Sequence, residues 1–237
     1  MRRARPALGT IVELGADAPI NARAFDAAYF AIAEVERALS IFHSESDIHR
    51  FNAAPAGAAR RITDETACVL RVAAELQCES AGRFDITQGT GPHDWSINED
   101  GRLFKHSDGV RIDLGGIGKG FAVDRAFEAL SRALEGAACW VNAGGDLRVQ
   151  GMEVPVQLRD EVRGGVRPWM VLREGALATS YFGASARSLL AGAARARHVS
   201  VAASTCLISD ALTKIVALSA VDDPLLARFG ATAWQHA

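Results

Sequence analysis

The chain has 237 residues, 49% of them hydrophobic and 23% charged, which is enough apolar material to bury a sizeable core and too much for a disordered segment. Its 26 basic and 28 acidic residues leave a formal net charge of −2, which gives no electrostatic case for a nucleic-acid partner. No apolar run is long enough to span a bilayer and no cleavable leader is visible, so a cytoplasmic location without membrane insertion is expected.

Residues 8–14 alternate like a strand. A helical stripe follows, carried by Phe25, Ala28, Ile32, Val35, Leu39 and Phe42. Residues 44–55 are polar and read as turns. Thr63 is placed to cap a second helix, with Asp64 and Glu65 in its first turn and apolar residues through Leu76. A loop over residues 89–101 leads to a short strand pattern at 111–114, then to glycines and a third helix carrying Ala126, Leu130 and Leu134. Residues 139–142 read as a strand ending in the glycine turn Ala143-Gly144-Gly145-Asp146. Short strands are expected near 147–150, 154–158, 169–172, 176–179 and 199–201. Residues 187–197 are small and basic. The last clear helix starts near Ser204 and carries Leu207, Ile208, Ala211, Leu212, Ile215 and Leu218. There is no internal repeat and no break in composition, so one α+β domain over residues 1–237 is expected. Cys68, Cys78, Cys139 and Cys206 form no C-x-x-C pair and read as free buried thiols.

The chemistry concentrates at Asp113-Leu114-Gly115-Gly116-Ile117-Gly118-Lys119-Gly120. Glycines at the start of a helix let backbone N–H groups approach an anion, the helix dipole adds to this, and a lysine supplies a mobile positive charge. The plain alternative is a tight connection packed closely on a sheet. It is not a P-loop, because Gly120 follows Lys119 where Ser or Thr is needed and Asp113 stands at the upstream glycine position. It is not a Rossmann fingerprint either, since Gly116, Gly118 and Gly120 read G-x-G-x-G. Asp124 and Asp146 near these turns suit a cation or a ribose hydroxyl, or else a solvent-facing position and a stabilised turn. Asp210 and Lys214 lie four apart on one helix, as a plain ion pair or as a metal ligand beside a lysine. The six histidines show no metal-ligand spacing.

In their order along the chain these motifs resemble the ApbE family of flavin transferases. The likeness starts at Ala7-Leu8-Gly9-Thr10 and continues through Leu39-Ser40-Ile41-Phe42, Ser46-Asp47-Ile48 and Asn52. It includes Ser80-Ala81-Gly82-Arg83-Phe84-Asp85, the glycine–lysine motif and Val141-Asn142-Ala143-Gly144-Gly145-Asp146. Ala178-Thr179-Ser180 and Ser209-Asp210-Ala211-Leu212-Thr213 complete it, before a tail at residues 226–231. The resemblance implies a domain of mixed, largely antiparallel sheet packed with helices. It implies FAD as substrate, Mg²⁺, and transfer of FMN to a Thr or Ser hydroxyl of an acceptor protein with release of AMP. Some members instead hydrolyse FAD to FMN and AMP. By position, Ser40, Asp85, Gly115, Gly116, Gly118 and Lys119 would hold the dinucleotide, with Asp124, Asn142, Gly144, Gly145, Asp146 and Thr179. Asp210, Lys119 and Thr213 would be catalytic, and Asp210, Thr213 and the Gly118 carbonyl would hold the metal.

Three positions depart from the family pattern. Lys214 stands where a metal-binding Thr is usual, and its ammonium is a candidate for the cation position itself. Tyr181 replaces a glycine after Thr179-Ser180. The usual His-(Ile/Leu)-Ile-Asp-Pro segment is reduced to Leu189-Leu190-Ala191-Gly192, with Ala191 in place of the Asp. These departures motivate the competing reading, a flavin-binding or partner-binding relative without turnover.

Overall fold

In a computed structural model, residues 1–17, 22–160, 163–183, 190 and 192–236 are described. Leu189 and Ala191, and most of the small basic segment before residue 192, lie outside them. The central sheet has seven strands in the order β1-β2-β6-β7-β10-β11-β12, and every ladder in it is antiparallel. Its strands are β1 (Arg2–Ala7), β2 (Thr10–Ala16), β6 (Cys139–Ala143), β7 (Asp146–Gln150), β10 (Gly175–Tyr181), β11 (His198–Ala203) and β12 (Thr232–Gln235). The expected α+β class with a largely antiparallel sheet is what forms.

One face of the sheet carries the main helices. α1 (Ala22–Leu39) and α4 (Gly118–Ala133) present Phe25, Ala28, Ile32, Val123, Phe127 and Leu130 to Val12, Leu14, Val141 and Ala143. These side chains recur every three or four residues on the helices and every second residue on the strands, which is why the two surfaces mate. α5 (Cys206–Leu218) continues this layer and joins a second core with α2 (Asp47–Ala53) and α3 (Asp64–Glu79). The opposite face packs Leu147, Val149 and Leu177 under the hairpin of β8 (Val154–Arg159) and β9 (Val166–Leu172). A small sheet of β3 (Ala59–Arg61), β5 (Arg102–Lys105) and β4 (Trp95–Ile97) flanks α3.

Several expectations are corrected. The segment read as turns contains α2, because Ser46 accepts the His49 N–H as a cap and Ile48 and Phe51 turn inward together. The strand pattern at 111–114 joins no ladder. Its edge is taken by the Asn52 side chain, which donates to Ile112 O and accepts from Ile112 N, both at 2.8 Å. The loop over 89–101 contains β4. The α1 stripe stops at Leu39, leaving Phe42 89% exposed. Cys68 and Cys78 are exposed, while Cys139 and Cys206 are free and buried. The chain also adds β1, α6 (Pro224–Arg228) and β12, none of them anticipated. The Thr63 cap forms as expected, and Thr205 caps α5.

Candidate functional site

The glycine motif links the extended segment clasped by Asn52 to the start of α4. Inside it Gly115 N donates to Asp113 Oδ1 at 2.8 Å, and Ile117 and Gly118 donate to Leu114 O. The Gly116 N–H has no partner among the described residues. None of its glycines adopts positive φ, so backbone conformation does not demand glycine here. Space demands it at Gly120, where a Cβ would stand 2.3 Å from Cys206 O and 2.8 Å from Asp210 Cβ. That close approach seats α4 against α5 and lets Gly120 N donate to Asp210 Oδ2 at 3.1 Å.

The second glycine turn obeys the opposite rule. Gly144 (φ +60°) and Gly145 (φ +110°) form the two-residue connection between β6 and β7, whose twist requires left-handed residues. The turn delivers Asp146 to the helix-bearing face of the sheet, fully buried, with Lys119 Nζ 3.1 Å from Oδ2. Among the described residues, neither carboxylate oxygen has a hydrogen bond of good geometry. Burial, helped by the nearby charge of Asp210, pushes the Asp146 carboxyl up to about 7 despite Lys119. Lys119 is held the other way: the Asp146 charge outweighs desolvation and raises its ammonium well above the usual range. Lys119 remains 30% exposed and is the part of the pair that faces outward.

One turn into α5 lies a second pair. Asp210 and Lys214, 1% and 4% exposed, form an ion pair through Oδ1 and Nζ. Lys214 Nζ also lies 3.0 Å from Asp210 O and 3.3 Å from Ser180 Oγ, and Thr213 Oγ1 lies 2.7 Å from Asp210 O and 2.9 Å from Ser180 Oγ. Ser180 was not among the expected site residues. Strand alternation gives the signal that finds it, since Thr179 and Ser180 must point to opposite faces of β10 and only Ser180 can face α5. Lys214 also lines a narrow cleft with Arg83, Phe84, Asp85, Gln88, Asp113 and Gly116. Its enclosed part, about 30 Å³, has room for a water. A larger cavity of about 250 Å³, lined by Asp47, Arg50, Arg60, Arg61 and Ile62, contains none of the expected site residues.

The fold therefore gathers Gly116, Gly118, Lys119, Asp146, Asp210 and Thr213 around the junction of α4, α5 and β7, with Asp85 across the cleft. Others stand apart. Asp124 is 5% exposed and accepts from Cys206 N and Leu207 N at 2.9 and 2.8 Å, with Arg148 on the same carboxylate. It caps α5 from behind, where burial still raises its carboxyl above the usual range. Asp85 lines the cleft with its carboxylate engaged by Thr87 and Gly89, whereas Ser40 stands apart, its Oγ accepting from Phe42 N at the end of α1. Thr179 contacts Ser200 Oγ at 2.7 Å, and Asn142 Oδ1 accepts from Gly145 N at 3.3 Å, both directed to the sheet face away from the helices. Beyond Ser200 lies His236 Nε2 at 2.9 Å, its ring held mainly by burial at a pKa lowered to about 4. Among the described residues, no group of three or more His, Cys, Asp or Glu side chains is placed to hold a metal.

This combination defines an α+β protein in which a glycine loop and two lysine–carboxylate pairs meet beside a cleft that Gly116 and Lys214 line. The ApbE family model matches residues 8–107 and 88–227, and the chain belongs to the ApbE family. No curated protein matches it. Its fold is that of the ApbE protein from Thermotoga maritima, at a TM-score of 0.84 and 22% identity over 98% of this chain and 93% of that one. It is similarly like apo flavinyl transferase ApbE from Pseudomonas stutzeri (TM-score 0.80, 21% identity, 98% and 89% covered). The flavin transferase ApbE from Vibrio cholerae also matches, at a TM-score of 0.77 and 18% identity, with 92% of this chain and 86% of that one covered. Among the described residues no helix is long and apolar enough to cross a membrane.

Proposed function

We propose that the chain binds FAD and transfers its FMN moiety to a Thr or Ser hydroxyl of an acceptor protein, releasing AMP. The observation that carries the reading is convergence: family motifs far apart in sequence bring Asp85, Gly116, Lys119, Asp146, Asp210 and Lys214 to one junction beside the cleft. In the reaction the acceptor oxygen forms a bond to the FMN phosphorus while the bond from that phosphorus to the AMP oxygen breaks. The hydroxyl proton leaves to solvent or to the AMP phosphate. Negative charge grows on the bridging oxygen, so fixed N–H dipoles and ammonium groups lower the barrier if they are already in place. The partly exposed Lys119 and the N–H of Gly116, unpartnered among the described residues, supply such groups. Asp146 fixes the position of Lys119 from below, and Asn52 holds the loop in register through Ile112.

The family resemblance implies Mg²⁺ on Asp210, Thr213 and the Gly118 carbonyl. The side chains do not fit that role as arranged. Asp210 Oδ1 is engaged by Lys214 and Oδ2 by Gly120 N, and the Thr213 hydroxyl is turned to Asp210 O and Ser180. The same engagement favours a second reading, FAD binding without turnover, or with hydrolysis to FMN and AMP. Incubation with FAD and a Thr-containing acceptor peptide separates them. Flavin fluorescence on the peptide with equimolar AMP is the expected result, AMP with free FMN marks hydrolysis, and bound but intact FAD rules out the transferase.

A further inference from the structure

An ammonium group has three N–H donors, and a buried one must satisfy them all. Lys214 does so with Asp210 Oδ1, Asp210 O and Ser180 Oγ. Its side chain is 5% exposed, yet its Cε lies 3.5 Å from where a Gly116 Cβ would be, so the charge is delivered to the loop that faces the cleft. The two buried carboxylates nearest it are each paired without an added ion. Asp146 is answered by Lys119, and Asp210 by Lys214. A divalent cation at Asp210 would have to expel Lys214 and leave its ammonium buried without a carboxylate, which is strongly unfavourable. Mg²⁺ also demands near-octahedral oxygen donors, whereas both Asp210 carboxylate oxygens and the Thr213 hydroxyl are already engaged by protein groups.

We propose that Lys214 is the resident cation of this site, standing where a divalent metal would otherwise sit, so that the protein engages the diphosphate of FAD without metal. The proposal rests on the reading of FAD as substrate. It assigns Lys119 and Lys214 as a two-ammonium clamp, one partly exposed above Asp146 and one locked into α5. A lysine binds phosphate as a point charge and needs no fixed coordination geometry, which suits this substitution.

The test combines FAD titration by fluorescence quenching, in EDTA and in excess Mg²⁺, with Mn²⁺ binding followed by EPR on protein without flavin. For the unaltered protein, FAD affinity should agree between the two conditions within about twofold, and Mn²⁺ should stay free. In Lys214→Thr, Asp210 and a new hydroxyl are released as oxygen donors. That variant should take up Mn²⁺, lose at least about tenfold in FAD affinity in EDTA, and regain it with Mg²⁺. Mg²⁺-dependent FAD binding or Mn²⁺ uptake by the unaltered protein overturns the proposal while keeping the flavin reading. So does a folded Lys214→Thr that ignores Mn²⁺. Absence of FAD binding under every condition ends the flavin reading instead. If Lys214→Thr does not fold, the two measurements on the unaltered protein decide alone.

Discussion

The two glycine turns look alike in sequence and differ in what makes them glycine. Gly144 and Gly145 sit at positive φ, and the hairpin they close could not twist correctly with ordinary residues. The 115–120 turn uses no positive φ at all. Within it Gly120 is required by the close approach of α4 to α5, whereas a Cβ on Gly116 would meet ordinary contacts at 3.5 and 3.9 Å. When neither conformation nor packing excludes a side chain, the remaining physical use of a glycine is to leave its backbone open to something outside the protein. The hairpin turn builds the site, and the first turn both builds it and presents it.

Gly120→Ala should have the largest effect. Its methyl would fall 2.3 Å from a backbone carbonyl that cannot rotate away, forcing α5 off α4 and breaking the Gly120–Asp210 hydrogen bond. Overpacking of this kind costs about 3 kcal/mol. Calorimetry should register a melting temperature lower by roughly 10 °C for a chain of this size. A normal melting temperature would mean that the α4–α5 contact is looser than described. Gly144→Ala should come second, at about 2 kcal/mol, because it places an L-residue in the left-handed region. Its Cβ would also lie 2.5 Å from Thr10 Oγ1 and 3.1 Å from Thr10 Cβ and Cγ2, a side-chain contact at the turn end of the β1–β2 hairpin rather than a backbone carbonyl between two helices. An effect equal to that of Gly120→Ala would erase the distinction between strain and collision.

The sequence makes one side of this comparison easy to read and hides the other. Amphipathic stripes and polar caps place α1, α3 and α5, because helix period and Thr63 and Thr205 act locally. The β6–β7 hairpin is legible for the same reason. β1 escapes notice because Arg2, Arg3, Arg5 and Pro6 carry no apolar alternation. It forms because Leu8 and Gly9, both at positive φ, fold it back onto β2. The site shows the same division. Glycines, Lys119, Asp146 and Asp210 are visible as types in a pattern, but which face each one meets is a tertiary fact. Asp124 sits beside the glycine motif in sequence and ends as the cap of a helix 82 residues away. Lys214 reads equally as a surface ion pair until β10 covers it with Ser180.

Gly116→Ala should have the smallest effect on folding and is the most informative of the three. The added methyl has space, φ is already in a range open to alanine, and stability should change by no more than about 0.5 kcal/mol. The consequence should instead fall on the ligand. The Gly116 N–H has no partner among the described residues and Gly116 lines the cleft beside Lys214, so a methyl there holds a phosphate oxygen away from both. FAD affinity should drop by about tenfold, equivalent to one lost charge-assisted contact, while the melting temperature of the free protein stays put. If instead the protein destabilises and FAD binding is untouched, Gly116 belongs with Gly120 as a packing glycine. The first turn would then be scaffold throughout, and the anion would have to be held from the Lys119 side alone.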